Sequence, residues 1–286
     1  MNLVIASPHP RFSLNQATIR YASLAEAVNL SSEAGAESIG LWREPVAKAG
    51  LVEAVRLVTD AGLRVSSLCR GGFFTMPEGP ARRAAIDDNR RALAEAAALG
   101  APTLVLVAGG LPEGSRDIAG ARERVRDALG ELAPDARAAG VTLAIEPLHP
   151  MYASDRAVIS TLGQALDIAE QFGADAVGVV VDTFHVWWDP QLFAQIARAG
   201  AGGYIASYQV CDWATPLPAD VLLARHFPGD GVIDFELITR AVLAAGYGGD
   251  IEVEIFNRGI WDSPAADVVT RTIASFGANV GVHLKR

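Results

Sequence analysis

A single α/β domain folded as a closed (β/α)8 TIM barrel is predicted by three features of the sequence. A phrase made of an alanine-rich amphipathic helix, a glycine turn and a short β-branched run recurs along the chain. No linker-like segment interrupts the recurrence. No GxGxxG follows the opening apolar run, which argues against the main alternative, an open doubly wound dinucleotide-binding sheet. The 286 residues suit one barrel rather than two smaller domains, since a barrel usually takes about 250 residues. Residues 1–286 are therefore expected to form one domain.

The first strand is expected at LVIAS (3–7). Seven more are expected in AGAESIGLW (34–42), AGLRVSSLC (61–69), LGAPTLVLVA (99–108), AGVTLAIEP (139–147), FGADAVGVVVD (172–182), AGGYIASYQV (201–210) and AGYGGDIEVEI (245–255). In most of these, glycine ends the preceding helix because it enters the left-handed region without a Cβ penalty. The Val, Ile and Leu that follow suit a parallel strand buried on both faces. Helices are expected at about 23–34, 45–61, 80–99, 114–139, 161–172, 190–199, 234–245 and 264–280, where Ala, Leu, Arg and Glu favour the helix. GDGVID (229–234) reads as a loop rather than a phosphate cradle.

Lys and Arg number 24 against 33 Asp and Glu, a net charge of −9, and basic residues come only in short clusters. That balance argues against a general nucleic-acid or anionic-membrane surface. Cys69 and Cys211 have no close pairing or zinc-module spacing and read as buried thiols. The first residues lack the basic region and length of a secretory signal. No window reaches the ~18 apolar residues of a membrane span. A cytoplasmic location is expected.

Four polar residues with metal-binding oxygens stand where apolar runs break off: Glu146, Asp182, Gln209 and Glu254. In a parallel barrel such strand ends converge on the face that carries the chemistry. Three carboxylates and an amide suit one hard divalent cation, Mn2+ first, with Mg2+ or Co2+ as alternatives. Without a cation the carboxylates would repel one another and raise one another's pKa. Helix capping or solvation explains any one of these residues, but not four on consecutive strands. His149 and His185 each lie three residues beyond a proposed ligand and could act as base, acid or hydroxyl binder. Arg225 and Arg156 are loop residues able to hold substrate oxygens, with a surface role the alternative for Arg156. All five tryptophans follow strands closely, so Trp42 and Trp188 suit an aromatic wall for a sugar, although core packing explains any single Trp equally.

In IEPLHPM, VVDTFHVWWDP, YQVCDW, the R-x-x-PGDGVID stretch (225–234) and IEVEIFN, the chain resembles the xylose-isomerase-like TIM barrels. That group includes sugar isomerases, ketose 3-epimerases, inosose dehydratases and endonuclease IV. The resemblance implies that Glu146, Asp182, Gln209 and Glu254 hold the metal, and that His185 and Arg225 bind substrate oxygens. Gln209 departs from the pattern, because the epimerases usually have histidine there. A narrower likeness, in Glu146-Pro-Leu-His149-Pro-Met, QVCDW and PGDG, is to the large subunit of C-glycoside deglycosidases. It implies a metal-dependent lyase on 3-keto-glycosides, with a small β subunit and higher oligomer as partners. In that reading His149 removes the C2 proton and the aglycone leaves by β-elimination. The alternative is a ketose 3-epimerase or sugar phosphate isomerase, with Glu146 and Glu254 exchanging the proton across two faces. A third reading is a barrel that binds a sugar or partner without catalysis. The expected ligand is a small-molecule sugar or glycoside, and neither nucleic acid nor membrane.

Overall fold

The computed structural model describes residues 7–284. Its eight parallel strands are β1 (Phe12–Asn15), β2 (Ser38–Trp42), β3 (Arg64–Gly72), β4 (Thr103–Val107), β5 (Thr142–Glu146), β6 (Val177–Asp182), β7 (Ile205–Val210) and β8 (Ile251–Val253). They close in the order β1-β8-β7-β6-β5-β4-β3-β2, the expected barrel. Among the described residues no helix is long and apolar enough to cross a membrane.

The opening strand is the main correction. Residues 3–6 of the expected LVIAS run lie outside the described residues, and Phe12–Asn15 takes the first place in the barrel. FSLN alternates rather than running apolar. Phe12 packs its ring against Phe276 of an outer helix at 5.2 Å, while Ser13 bonds Ser66 and Asn15 bonds Glu252. A strand with polar inner residues lacks the continuous hydrophobic run of a strand buried in apolar layers on both faces.

The helices follow the expected ranges with local differences. The segment 45–61 is two helices, Arg43–Ala49 and Leu51–Asp60, parted at Gly50, whose φ of 88° suits glycine. After β7 the chain makes a short antiparallel hairpin, Asp212–Trp213 with Arg225–His226, which the sequence pattern did not announce. GDGVID is a loop as expected, and its backbone wraps a single carboxylate. Asp212 accepts from the backbone N–H groups of Trp213 (2.8 Å), Gly229 (2.9 Å), Gly231 (2.8 Å) and Ile233 (3.0 Å).

Most of the core lies between the strands and the outer helices, with Phe12, Leu14, Ile39, Leu41, Leu143 and Val253 among its residues. Cys69, Val105, Ala144 and Val180 form a second, smaller cluster from four neighbouring strands. Side chains alternate along a strand, so Glu146 and Asp182, two residues beyond Ala144 and Val180, share their face one layer nearer the strand ends.

Asp212→Ala is expected to strand four backbone N–H donors at once, two of them buried, and to lower stability by about 3 kcal/mol. Urea unfolding should show the loss, and a change near zero would mean that the loop does not depend on this carboxylate.

Candidate active site

Glu146 is the last residue of β5, Asp182 the last of β6, Gln209 the next to last of β7, and Glu254 directly follows β8. All four are buried. The hairpin after β7 delivers Arg225, and the helical turn Thr183–Val186 delivers His185. That turn forms because Asp182 Oδ1 accepts from the Phe184 N–H at 2.8 Å, a side-chain cap for an otherwise open N–H.

Arg225 ties the cluster together. Its Nη1 donates to Glu254 Oε2 at 2.6 Å and to Asp182 Oδ2 at 3.2 Å. Phe184 and Phe256 hold the guanidinium, with ring centroids 4.9 and 5.0 Å from its carbon. His185 Nε2 lies 2.8 Å from Arg225 Nη2, and its Nδ1 faces the His149 N–H at 3.2 Å. N–H donors thus stand at both ring nitrogens, whereas a neutral imidazole can accept at only one. Protonation would leave neither nitrogen able to accept. Burial and the nearby Arg225 charge hold His185 well below its ordinary range.

The carboxyls move the other way. Burial, reinforced by the negative charges of Asp182 and Glu254, pushes Glu146 well above the usual carboxylate range. Burial raises Asp182 against the pull of Arg225. Glu254 rises from 4.5 to about 7, again through burial and against the pull of Arg225.

The donor set fits a divalent cation. Glu146 Oε1, Gln209 Oε1 and Glu254 Oε1 are buried oxygens with no hydrogen-bond partner among the described residues. Three carboxylates against one guanidinium leave an uncompensated negative charge that burial makes costly. Glu146, Asp182 and His185 each offer a ligand atom within 4.8 Å of the others. His185 therefore sits in the compact part of the cluster, although the sequence assigned it to the substrate. Its Nε2 is 3.9 Å from Glu146 Oε1 and 4.0 Å from Asp182 Oδ2.

A cavity of about 1000 Å³ opens above the cluster. Glu146, Glu254, His185, Arg225 and Trp42 line it, as do Gln16, Tyr152 and Arg156. Asp182 and Gln209 are fully buried and are not among its walls. Two of the expected residues stand outside the residues that line this cavity. His149 packs its ring against Trp188 (5.3 Å) and Trp213 (5.2 Å), and its Nδ1 accepts from the Met151 N–H. Trp188 donates from Nε1 to the His185 carbonyl at 2.7 Å. Sequence reading missed Gln16 and Tyr152. Gln16 follows a strand that was not recognised, and Tyr152 stands six residues beyond Glu146, in the short turn Pro150–Tyr152.

The raised carboxyls carry a pH dependence. Glu254 binds its proton more tightly folded than unfolded, so between about pH 4.5 and 7 the folded protein holds the extra proton. That contribution is complete below the unfolded value and is lost as pH rises through 7. Melting of EDTA-treated protein should show Tm falling across this window. Excess Mn2+ should reverse the slope, because a cation competes with protons for the same oxygens. A Tm that climbs through pH 7 in EDTA would contradict the arrangement.

Comparisons with known proteins show which family this fold belongs to. An inosose isomerase of Halalkalibacterium halodurans is 27% identical over 144 residues, 49% of each chain. An L-ribulose 3-epimerase of Mesorhizobium japonicum is 31% identical over 137 residues, 47% of this chain and 41% of that one. The aligned segments thus span less than half the length of these relatives. A crystal structure of a protein from Sinorhizobium meliloti superposes with a TM-score of 0.91 at 51% identity, covering 94% of this chain and 98% of the other. The crystal structure of the IolI protein with a bound zinc atom shares the fold, with a TM-score of 0.82 at 20% identity over 96% and 99% of the two chains. The family model described as xylose isomerase-like TIM barrel matches residues 28–276, and the chain belongs to that family.

Proposed function

We propose that this protein is a divalent-metal-dependent isomerase or epimerase that removes and returns a proton α to the carbonyl of a sugar or polyol ketone. The observation that carries the reading is the ring of buried strand-end oxygens, with Glu146 and Glu254 reaching the floor of the cavity. The names of the relatives, an inosose isomerase and an L-ribulose 3-epimerase, point to the same substrate class.

Glu146, Asp182, Gln209 and Glu254 would hold the cation, with His185 at the edge of the set. When bound, it would stabilise negative charge developing on the substrate oxygens. The protein's own groups do the rest. A carboxylate such as Glu254, which can keep one oxygen free while the other faces the cation, can take a proton from the carbon and return it. Glu146 and Glu254 lie on β5 and β8, three places apart around the barrel, so they approach a substrate from different sides. Delivery of the proton from the second side inverts the carbon, and delivery to the neighbouring carbon moves the carbonyl once the hydroxyl proton has passed from one enediolate oxygen to the other. Arg225, in the cavity wall and with its Nε–H unpaired among the described residues, offers an N–H group to the enediolate oxygens. Trp42 supplies an apolar face for the sugar's C–H groups. The oxygen-rich set suits Mn2+, Mg2+ or Co2+, and the zinc in the IolI structure adds that metal to those worth testing.

β-Elimination from a 3-keto-glycoside is the second reading. The cavity volume favours it, since about 1000 Å³ is the upper end of the range for ligand pockets and leaves room for an aglycone. Its proposed base, His149, would have to turn out from between Trp188 and Trp213 to reach the cavity.

Inosose, L-ribulose and methyl 3-keto-β-D-glucopyranoside, incubated in D2O with metal-loaded protein, separate the two readings. Proton NMR should show deuterium entering next to the carbonyl, lost roughly 10²–10⁴-fold in Glu254→Gln and unaffected in His149→Ala. Methanol release that depends on His149 would reverse the order. No exchange with any of the three and any of the four metals would count against both.

A further inference from the structure

A second polar network lies beside the acidic cluster and is used by none of the steps above. It starts at Glu252, which is 1% exposed and two residues before Glu254 on the same face of the strand. Glu252 Oε2 accepts from Asn15 Nδ2 at 2.9 Å. That contact settles which end of the amide is which, because a carboxylate needs a donor opposite it. Asn15 Oδ1 is then the acceptor for Trp42 Nε1 at 2.9 Å and for the Ala17 N–H at 3.0 Å. The space for this pair depends on a glycine. A Cβ at Gly40 would stand 2.4 Å from Glu252 Oε2 and 3.1 Å from Asn15 Nδ2.

The network ends at the cavity. The Ala17 bond caps the short turn Gln16–Ile19, and Gln16, Ala17 and Trp42 all line the cavity. Gln16 Oε1 accepts from the Trp42 backbone N–H at 3.5 Å. Gln16 Nε2 has no hydrogen-bond partner among the described residues, on a side chain only 2% exposed. A buried amide donor left unpaired is costly, so this one is explained by an acceptor that arrives with the ligand. Across the mouth, the buried Tyr152 hydroxyl also lacks a partner among the described residues. β1 and β5, which precede Gln16 and Tyr152, are opposite one another in the eight-strand ring. A ligand touching both has to lie across the carboxylates.

We propose that Gln16 binds an oxygen of the substrate, and that Glu252 and Asn15 are positioning residues that hold Gln16 and Trp42 in place to do so. The inference takes its substrate class, a polyol ketone, from the proposed function. Because an amide NH2 only donates, Gln16 selects a hydroxyl or carbonyl oxygen rather than a cationic or donor-only group.

The test uses metal-loaded full-length protein and the same three ketones, with Kd from calorimetry and KM and kcat from deuterium exchange. Gln16→Ala is expected to raise Kd and KM roughly three- to tenfold while kcat changes less than about twofold. Glu252→Ala should reproduce that split and shift tryptophan emission, because the Trp42 indole loses its fixed acceptor. Glu252→Gln keeps an acceptor for Asn15 and should restore both. If Glu252→Ala does not fold by circular dichroism, Gln16→Ala decides alone. Wild-type affinity in Gln16→Ala overturns the inference, as does the failure of all three ketones to bind. Exchange that dies in Glu254→Gln but ignores Gln16→Ala leaves the proposed function standing without this inference. Binding without exchange removes the proposed chemistry, and Gln16 is then judged on Kd.

Discussion

Three carboxylates buried around one guanidinium is the constraint on which the rest of this structure depends. Taking Glu146, Asp182 and Glu254 out of water is expensive, and a single arginine cannot repay it. The surrounding elements serve to keep Arg225 where it is needed. A hairpin absent from the repeating βα pattern carries it, two phenylalanine rings hold its flat faces, and the Asp212 clamp ties the following glycine loop to the same hairpin. The remaining imbalance appears as raised proton affinity at the carboxyls. It appears again as oxygens that no donor among the described residues satisfies.

The same imbalance makes the site chemically useful. A proton and a divalent cation are two ways of neutralising one set of oxygens, so under the proposed function proton transfer and metal binding would be coupled by electrostatics. His185 is kept neutral beside this negative cluster by burial and by the Arg225 charge. It therefore adds no second positive charge to the cluster. Above the cluster the wall changes character to Trp42, Gln16 and Tyr152. That mixture of an aromatic face and unpaired polar ends suits a polyhydroxylated ligand.

Much of this was legible from sequence, and the failures share a cause. The strands that end in Glu146, Asp182, Gln209 and Glu254 are short β-branched runs closed by one polar residue, a pattern that survives without any knowledge of contacts. The first strand escaped because Ser13 and Asn15 face a polar interior layer, so FSLN carries no continuous apolar signal. His149 reads as a candidate base because it follows a proposed ligand by three residues. In the fold its ring packs against Trp188 and Trp213. Sequence distance from a ligand says nothing about which way a loop side chain turns.

The sequence by itself determined the barrel and the strand-end positions of four oxygen donors, because period and composition are local properties of the chain. The tertiary structure alone decided which charges meet. Arg225 is 43 residues from Asp182 and 29 from Glu254 along the chain, yet one of its nitrogens bonds both. Glu252 and Asn15 are 237 residues apart and share a hydrogen bond because β1 and β8 are neighbours only once the barrel closes. Closure is a global event, so the partners it brings together leave no mark in any local stretch of sequence.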